Sequence, residues 1–164
     1  MSLDRLRNLN TRTKAVLAIP SGTAALVDAM RKVLQAAFAL YFKSHVIHWN
    51  VTGAGFPQYH AFFDDIYNAL HDAVDAYAEH IRALGEKAPT SLATTPEGQG
   101  ALGEDADFGT MLASFDKDND EFIGMLKMAI DIAGQVREPG VQNFLQDRLD
   151  YHQKLAWQLK ATRG

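Results

Sequence analysis

The spacing of the prolines constrains the fold of this chain more than any other feature of its sequence. Its 164 residues contain five prolines, Pro20, Pro57, Pro89, Pro96 and Pro139. The long segments between them place apolar residues three and four positions apart, which is typical of amphipathic helices. Runs of β-branched residues with a period of two, which would indicate strands, are missing. The sequence therefore predicts an all-α fold.

Four helices are predicted, with connections of very different length. The helices are expected over residues 21–50, 58–84, 107–133 and 139–161. Residues 51–57 are predicted to form a turn, because they contain two glycines and a proline. Residues 86–104 form a long connection, in which we expect a short helical turn over residues 90–95. Two helices, a long connection and two further helices describe a four-helix bundle with one crossover, the ferritin-like topology.

The composition limits the chemistry that the chain can support. It has no cysteine and six histidines, so a bound metal must use imidazole and carboxylate ligands. The 16 Lys and Arg against 20 Asp and Glu give a net charge of -4, which argues against a body that coats nucleic acid. No apolar run approaches the roughly 20 residues of a membrane span. The N-terminus also lacks the features of a signal peptide, so we expect a cytoplasmic protein.

The first 20 residues differ in charge from the rest of the chain. We predict that residues 1–20 form a basic arm and that residues 21–164 form one helical domain. Four basic residues stand against Asp4 in this arm, a net charge of +3, and they are the candidate DNA contacts: Arg5, Arg7, Arg12 and Lys14. Such an arm can bind phosphates by an attraction that weakens with salt. The alternative is that its apolar Val16 and Leu17 fold it onto the domain.

The second predicted helix carries two stripes of side chains. At about 100° per residue, its apolar residues fall in one arc that we expect to face the core. This arc contains Phe63, Ile66, Tyr67, Leu70, Val74, Tyr77, Ala78 and Ile81. A neighbouring arc contains residues that can bind metal ions: His60, Asp64, His71, Asp75 and Glu79.

Two pairs in the second stripe have the spacing of metal-binding doublets. His60 and Asp64 are four positions apart, as are Asp75 and Glu79, so each pair can hold one ion. The doublets are about 16 Å apart along a helix, too far for one ion to contact both. A second copy of the helix, running antiparallel, would bring unlike doublets together in two identical sites. The alternative is a solvated helix face with weak charge pairs.

The segment from Lys43 to Glu79 contains a His-Trp-Asn motif at residues 48–50, a glycine-containing turn, a Phe, and then the two doublets. In these motifs and their spacing it resembles the Dps family, the miniferritins or DNA-binding proteins from starved cells. The resemblance implies a hollow dodecamer with di-iron ferroxidase centres at its two-fold interfaces. By resemblance, one subunit supplies His48, His60 and Asp64, and its partner supplies Asp75 and Glu79.

The resemblance also implies an activity and two accessory features. Ferrous iron is oxidised by hydrogen peroxide or, less efficiently, by dioxygen, and the ferric product is stored as mineral, which protects DNA from oxidative damage. Trp49 and Trp157 correspond to tryptophans that donate electrons near the iron, the alternative being aromatic packing. Iron enters through acidic pores at the three-fold axes, for which Glu138, Asp147 and Asp150 are the candidates.

The remaining polar residues are given structural interpretations. We expect His45 on the helix surface or at an interface, the alternative being a further ligand or a proton-transfer group. His71 is expected at an interface near the two-fold axis, and His80 and His152 in surface or packing positions. The Asp116, Asp118 and Asp120 triplet lacks the glycine of a calcium loop and is expected on an exposed helix face.

Two other functions stay open at this stage. In one, the chain is a structural protein that compacts DNA and in which iron chemistry is secondary. In the other, it is a helical assembly module without metal chemistry.

Overall fold

The computed structural model describes residues 21–91, 102, 103 and 105–163, which form four helices. These are α1 (Ser21–Asn50), α2 (Phe56–Ala83), α3 (Phe108–Gln135) and α4 (Pro139–Arg163). No strand occurs among the residues that the structure describes. The predicted all-α fold with four helices is therefore confirmed.

The helix bounds differ from the predicted ones by two residues at most. α2 begins at Phe56 rather than at residue 58, because Pro57 lies in its first turn, where the missing N–H has no intrahelical partner. α3 begins directly after Asp107, whose Oδ1 accepts a hydrogen bond from the Thr110 N–H at 2.7 Å. This side-chain cap satisfies one of the unpaired N–H groups of the helix start.

Residues with positive φ lie in three of the turns between elements. Gly53 (φ 92°) allows the tight turn between α1 and α2, and Gly85 (φ 92°) ends α2 as predicted. Arg137 (φ 61°) lies between α3 and α4, where the Glu138 N–H donates to the Ala133 carbonyl at 2.9 Å. A side chain at this left-handed position is strained, because its Cβ crowds the backbone.

The core lies where α1 packs on α2 and α3, and α3 packs on α4. The predicted core arc of α2 supplies Phe63, Ile66, Leu70, Tyr77 and Ile81, which are all buried. Its other members, Tyr67, Val74 and Ala78, are half-buried. The prediction of the core face is thus confirmed, with Tyr67 at its edge.

Two ion pairs, each with one buried partner, join α3 to its neighbours. The Lys43 Nζ of α1 lies 2.6 Å from Asp118 Oδ2 and 2.7 Å from Ser114 Oγ, with 2% of the Lys43 side chain exposed. Arg163 of α4 donates to Asp116 at 2.6 Å, and Asp116 is buried. The predicted exposed face is therefore wrong for Asp116, which Arg163 reaches from the far end of the chain, and for Asp118, which pairs with Lys43 and is half-buried. It is confirmed for Asp120, which is exposed.

A buried polar pair joins the middle of α3 to α4. His152 is 1% exposed, and its Nδ1–H donates to Asn119 Oδ1 at 2.7 Å. The Asn119 amide donates in turn to the His152 carbonyl at 3.1 Å. Burial, together with the nearby Arg148 charge, lowers the pKa of His152 to about 3, so this imidazole stays neutral. His152 is thus a packing residue.

Some predictions concern the segment after α2 and the residues outside the described ranges. Thr90 and Ser91 are not helical, and the rest of the predicted turn over residues 90–95 lies outside the described residues. The same holds for the arm of residues 1–20 and its four candidate DNA contacts. Within the described ranges, no helix has the length and apolar character needed to cross a membrane.

Candidate metal centre

Two histidines meet where α1 ends and α2 begins. The His48 Nδ1–H donates to the His60 carbonyl at 2.8 Å, and the His60 Nδ1–H donates to the His48 carbonyl at 2.9 Å. Their rings stack with centroids 3.7 Å apart. A carbonyl can only accept, so each Nδ1 carries a proton, and in the neutral ring the Nε2 keeps its lone pair. In this tautomer Nε2 is the nitrogen that can bind a metal ion.

The local sequence explains this reciprocal arrangement. The His48 carbonyl belongs to the last turn of α1, where carbonyls have no intrahelical partner. The His60 imidazole therefore satisfies an acceptor that the helix end leaves unpaired. The turn that brings the two helices together depends on the positive φ of Gly53 and is anchored by Val51, which is 2% exposed.

Asp64 lies one turn after His60, and both of its carboxylate oxygens are hydrogen-bonded. The Tyr67 hydroxyl donates to Asp64 Oδ1, and the Asn68 amide donates to Asp64 Oδ2 at 3.1 Å. The hydrogen bond to Asp64, with burial as the second cause, raises the pKa of Tyr67. These donors fix the orientation of the carboxylate, as the outer partners of metal ligands commonly do.

The second doublet lies farther along the same helix. Asp75 and Glu79 are exposed on α2. No group of three or more His, Asp or Glu side chains within the described ranges comes close enough to hold one ion. A single chain thus presents the two doublets as separate partial sites, in agreement with the spacing argument.

A concave surface adjoins the second doublet. This groove, of about 630 Å³, lies between α1, α2 and residues 88–91 of the segment that follows α2. Its lining includes Asp75 and His71 from the ligand stripe, with Leu34, Phe38 and Val74 as apolar neighbours. Ligand-type and apolar side chains therefore share one side of the α1–α2 pair.

Comparison with known proteins identifies the family. The family model of the ferritin-like domain matches residues 27–164, which is most of the chain. The chain belongs to the ferritin-like family. Its resemblance to Dps proteins is confirmed too, because curated relatives and solved structures carry that name.

Three relatives illustrate the similarity. General stress protein 20U of Bacillus subtilis is 30% identical over 146 residues, covering 85% of this chain and 97% of that protein. The DNA protection during starvation protein of Brevibacillus brevis is 29% identical over 126 residues, covering 74% and 83%. The Dps crystal structure from Vibrio cholerae superposes with a TM-score of 0.81 at 21% identity, covering 88% and 92%. This last likeness concerns the fold.

An aromatic cluster surrounds the histidine pair of this Dps-type chain. His45 stacks on Tyr67 with ring centroids 3.9 Å apart, and its ring lies 5.2 Å from that of Trp49. His45 is half-buried, so it does not lie on the open helix surface. Its other predicted position, at an interface, stays a prediction. The sequence interpretation missed the contact of Tyr67 with Asp64, although the three-residue spacing on one helix was a usable indication.

The two tryptophans and His71 are exposed in the single chain. Trp49 is 60% exposed and Trp157 is 64% exposed, so neither packs into the core of the chain. His71 lies beside the groove, and its ring centroid is 5.6 Å from that of Tyr41. Its place at a dimer interface stays a prediction.

The other predicted residues of this Dps-type chain lie away from the pair. His80 packs against Phe144 with ring centroids 4.4 Å apart, and burial lowers its pKa. Of the predicted pore residues, Glu138 directly precedes α4, and Asp147 and Asp150 lie on it. Glu138 is half-buried, whereas Asp147 and Asp150 are exposed. Their role as a pore stays a prediction.

Proposed function

We propose that this chain is a ferroxidase that oxidises Fe(II), with hydrogen peroxide as the preferred oxidant, and stores the ferric product in a hollow dodecamer in the cytoplasm. The observation that carries the proposal is the reciprocal hydrogen bonding of His48 and His60 beside Asp64. It leaves two imidazole nitrogens free at the end of a hairpin, next to an oriented carboxylate. The proposed role is to protect DNA from oxidative damage.

The donor set suits ferrous iron, the proposed substrate. Imidazole and carboxylate ligands with open coordination positions are typical of non-haem Fe(II) sites that meet an oxidant. Each Nδ1–H of the pair is held by a carbonyl, so Nε2 is the nitrogen through which each neutral ring can bind iron. Among the known relatives, the Vibrio cholerae protein is described as ferritin-like and diiron-carboxylate, which supports the same assignment.

We infer that the remaining ligands come from a second chain. Asp75 and Glu79 are exposed on α2, and a two-fold axis midway between the doublets would place them opposite Asp64 and His60 of the partner. The apolar residues of the groove would be covered by the same contact. Each dimer would then hold two identical sites.

The proposed reaction balances with two ferrous ions for each peroxide. Two Fe(II) supply two electrons to hydrogen peroxide, which takes up two protons and leaves as two water molecules, while two Fe(III) remain. Delivering both electrons to one peroxide avoids the hydroxyl radical that a single electron would release. In the proposal Trp49 and Trp157 are electron donors, and Glu138, Asp147 and Asp150 line the pore for iron entry.

A second candidate function is DNA binding and compaction through the basic arm. Lys160 and Arg163 pair with Asp120 and Asp116, so these basic residues of the C-terminal helix are already engaged. Attraction to DNA would then depend on Arg5, Arg7, Arg12 and Lys14. Deleting residues 1–20 should abolish the retardation of plasmid DNA at low salt and leave iron oxidation intact. Retardation that survives the deletion would contradict this assignment.

The ferroxidase proposal is tested by complementation between two inactive variants. His60→Ala and Glu79→Ala each damage both sites of a symmetric dimer. A mixed dimer, however, combines one doubly damaged site with one intact site, because each site takes His60 from one chain and Glu79 from the other. Random co-assembly should restore about a quarter of the sites. Ferrous iron oxidation is followed by ferric absorbance after anaerobic mixing with peroxide.

The double variant His60→Ala/Glu79→Ala, co-assembled with the Glu79→Ala chain, is the matched control and should stay inactive. Wild-type oxidation no faster than in buffer would contradict the proposed activity. Wild-type activity without recovery in the mixture would contradict only the two-chain site.

A further inference from the structure

We propose that Tyr67 is a redox-active residue of the iron site, which donates the second electron to peroxide when only one ferrous ion is bound. This inference rests on the proposed ferroxidase function and adds a residue to it. It concerns the half-filled site, the state in which the two-iron reaction cannot balance.

The contact that carries the inference is the hydrogen bond from the Tyr67 hydroxyl to Asp64 Oδ1. Asp64 is a proposed iron ligand, so the phenol is one hydrogen bond away from the metal's first coordination sphere. The rings of Tyr67 and His48 also make a T-shaped contact, with centroids 5.1 Å apart. Tyr67 thus contacts two of the proposed ligands.

A continuous series of rings leads away from this phenol. The His45 ring stacks on Tyr67 at 3.9 Å and 20° between planes. The Trp49 ring follows at 5.2 Å from His45, and 60% of Trp49 is exposed in the single chain. We assign the imidazole as a bridge between the two oxidisable rings. An oxidising equivalent formed on Tyr67 can therefore leave the metal ligands.

A site that holds one ferrous ion requires such a donor, because reducing hydrogen peroxide to water takes two electrons and one Fe(II) supplies only one. One Fe(II) gives one electron to hydrogen peroxide, which alone would break the O–O bond into hydroxide and a hydroxyl radical. With Tyr67, one Fe(II), one phenol, one peroxide and one proton give Fe(III), a neutral tyrosyl radical and two water molecules. The phenol proton leaves by way of Asp64 Oδ1 to water. The radical then takes an electron from the Trp49 indole and a proton from solvent, while the indole loses its N–H proton.

The chain offers a matched control for this assignment. The Tyr59 ring stacks on Phe108 with centroids 4.1 Å apart, on the side of α2 that faces α3. No described contact joins its hydroxyl to a proposed ligand. Tyr59→Phe therefore removes a phenol near the same end of α2 without touching the proposed path.

The experiment uses the assembled protein, loaded anaerobically with one ferrous ion per chain, mixed with one equivalent of hydrogen peroxide and frozen rapidly. Electron paramagnetic resonance should show a tyrosyl radical whose line narrows in protein made with ring-deuterated tyrosine. Tyr67→Phe should lose this signal, and Tyr59→Phe should keep it. Trp49→Phe should lengthen its lifetime, because the radical has no further donor.

A spin trap in parallel samples should report more hydroxyl adduct from Tyr67→Phe than from Tyr59→Phe. Bound iron is measured before mixing, so that a loss of iron binding is not mistaken for a loss of electron donation. Iron oxidation without a tyrosyl signal, or a signal that persists in Tyr67→Phe, would overturn the role of Tyr67 alone. An unchanged lifetime in Trp49→Phe would overturn the onward step. A wild-type protein that does not oxidise iron would overturn this inference and the proposed function together.

Discussion

Two histidine environments in this molecule use the same hydrogen-bonding atom with opposite consequences. At the α1–α2 turn, His48 and His60 each donate Nδ1–H to a carbonyl, and both rings are half-buried. Between α3 and α4, His152 donates Nδ1–H to Asn119 and is 1% exposed. A fixed tautomer therefore does not by itself make a ligand. The accessibility of the second nitrogen decides between a reactive imidazole and a packing one.

The difference follows from position along the helices. His48 and His60 flank a turn, where the core ends and a helix terminus leaves a carbonyl without a partner. His152 lies within α4 and faces α3, where water is excluded and a charged ring is costly. The predictions below test this contrast, and they run from the largest expected effect to the smallest.

His48 and His60 should determine the rate of ferrous iron oxidation and contribute little to the free energy of unfolding. His48→Ala should lower the rate of ferrous iron oxidation by more than about 100-fold, because it removes a proposed ligand. The free energy of unfolding should fall by only about 1 kcal/mol, the net value of one hydrogen bond. Stopped-flow absorbance and urea unfolding at fixed protein concentration measure the two quantities.

Asn119→Ala is the matched control for that variant. It should keep the oxidation rate and lose about 2 kcal/mol, because it leaves buried polar groups of His152 unpaired. Equal effects of the two variants on activity would remove the contrast between the sites.

The buried His152 should make the free energy of unfolding depend on pH. The pKa of His152 is about 3 in the folded chain, mainly through desolvation, against about 6.5 when unfolded. The unfolded state therefore binds the proton first, so the contribution is complete above about pH 6.5 and is lost as the pH falls toward 3. Between pH 7.5 and pH 4 the loss should be on the order of 3 kcal/mol. His152→Gln should reduce this slope in urea unfolding, and an unchanged slope would show that other groups cause it.

Removing the partner of the buried Lys43 on α1 should lower the free energy of unfolding more than removing the partner of the exposed Lys160 on α4. Asp118→Ala leaves the buried Lys43 ammonium without its carboxylate and should cost about 3 kcal/mol. Asp120→Ala breaks the Lys160 pair, whose side chains are more than half exposed, and should cost less than about 0.5 kcal/mol. Thermal and urea unfolding compare the two variants directly, and similar losses would show that burial does not set the difference.

A small gain in stability is expected at the turn between α3 and α4. Arg137→Gly should raise the free energy of unfolding by about 1 kcal/mol, because glycine adopts a φ of 61° without steric cost. Arg137→Ala keeps the Cβ and should give no such gain. If both variants are equally stable, the backbone at residue 137 is not strained.

The features that the sequence predicts well are periodic or local. The prolines and glycines bound the helices to within two residues, and the two stripes of α2 separate the core from the ligand face, because burial on a helix repeats with its pitch. The clustering of His48 with His60 was expected only through the family resemblance. Its reciprocal hydrogen bonds needed coordinates, because they depend on the exact course of the turn.

The features that sequence reasoning missed depend on partners from other helices or on rotamers. The sequence predicts an exposed face for Asp116 because its triplet does not match a calcium loop, yet Arg163 reaches it from 47 positions away. Tyr67 was grouped with the core because it is aromatic, and its ring does border the core. Its hydroxyl contact with Asp64 depends on the rotamer that the ring adopts, which no hydropathy pattern encodes.

The closeness of His48 and His60 along the chain bears on the order of folding. Only 12 positions separate them, so closing the loop between them costs little chain entropy. The contact between α1 and α3 must instead close a segment of more than 50 residues, including the long connection. Local contacts of the first kind generally form early. We therefore expect the two imidazoles to be paired in a nascent α1–α2 hairpin, so that half of the proposed site exists before the bundle closes and before any second chain arrives.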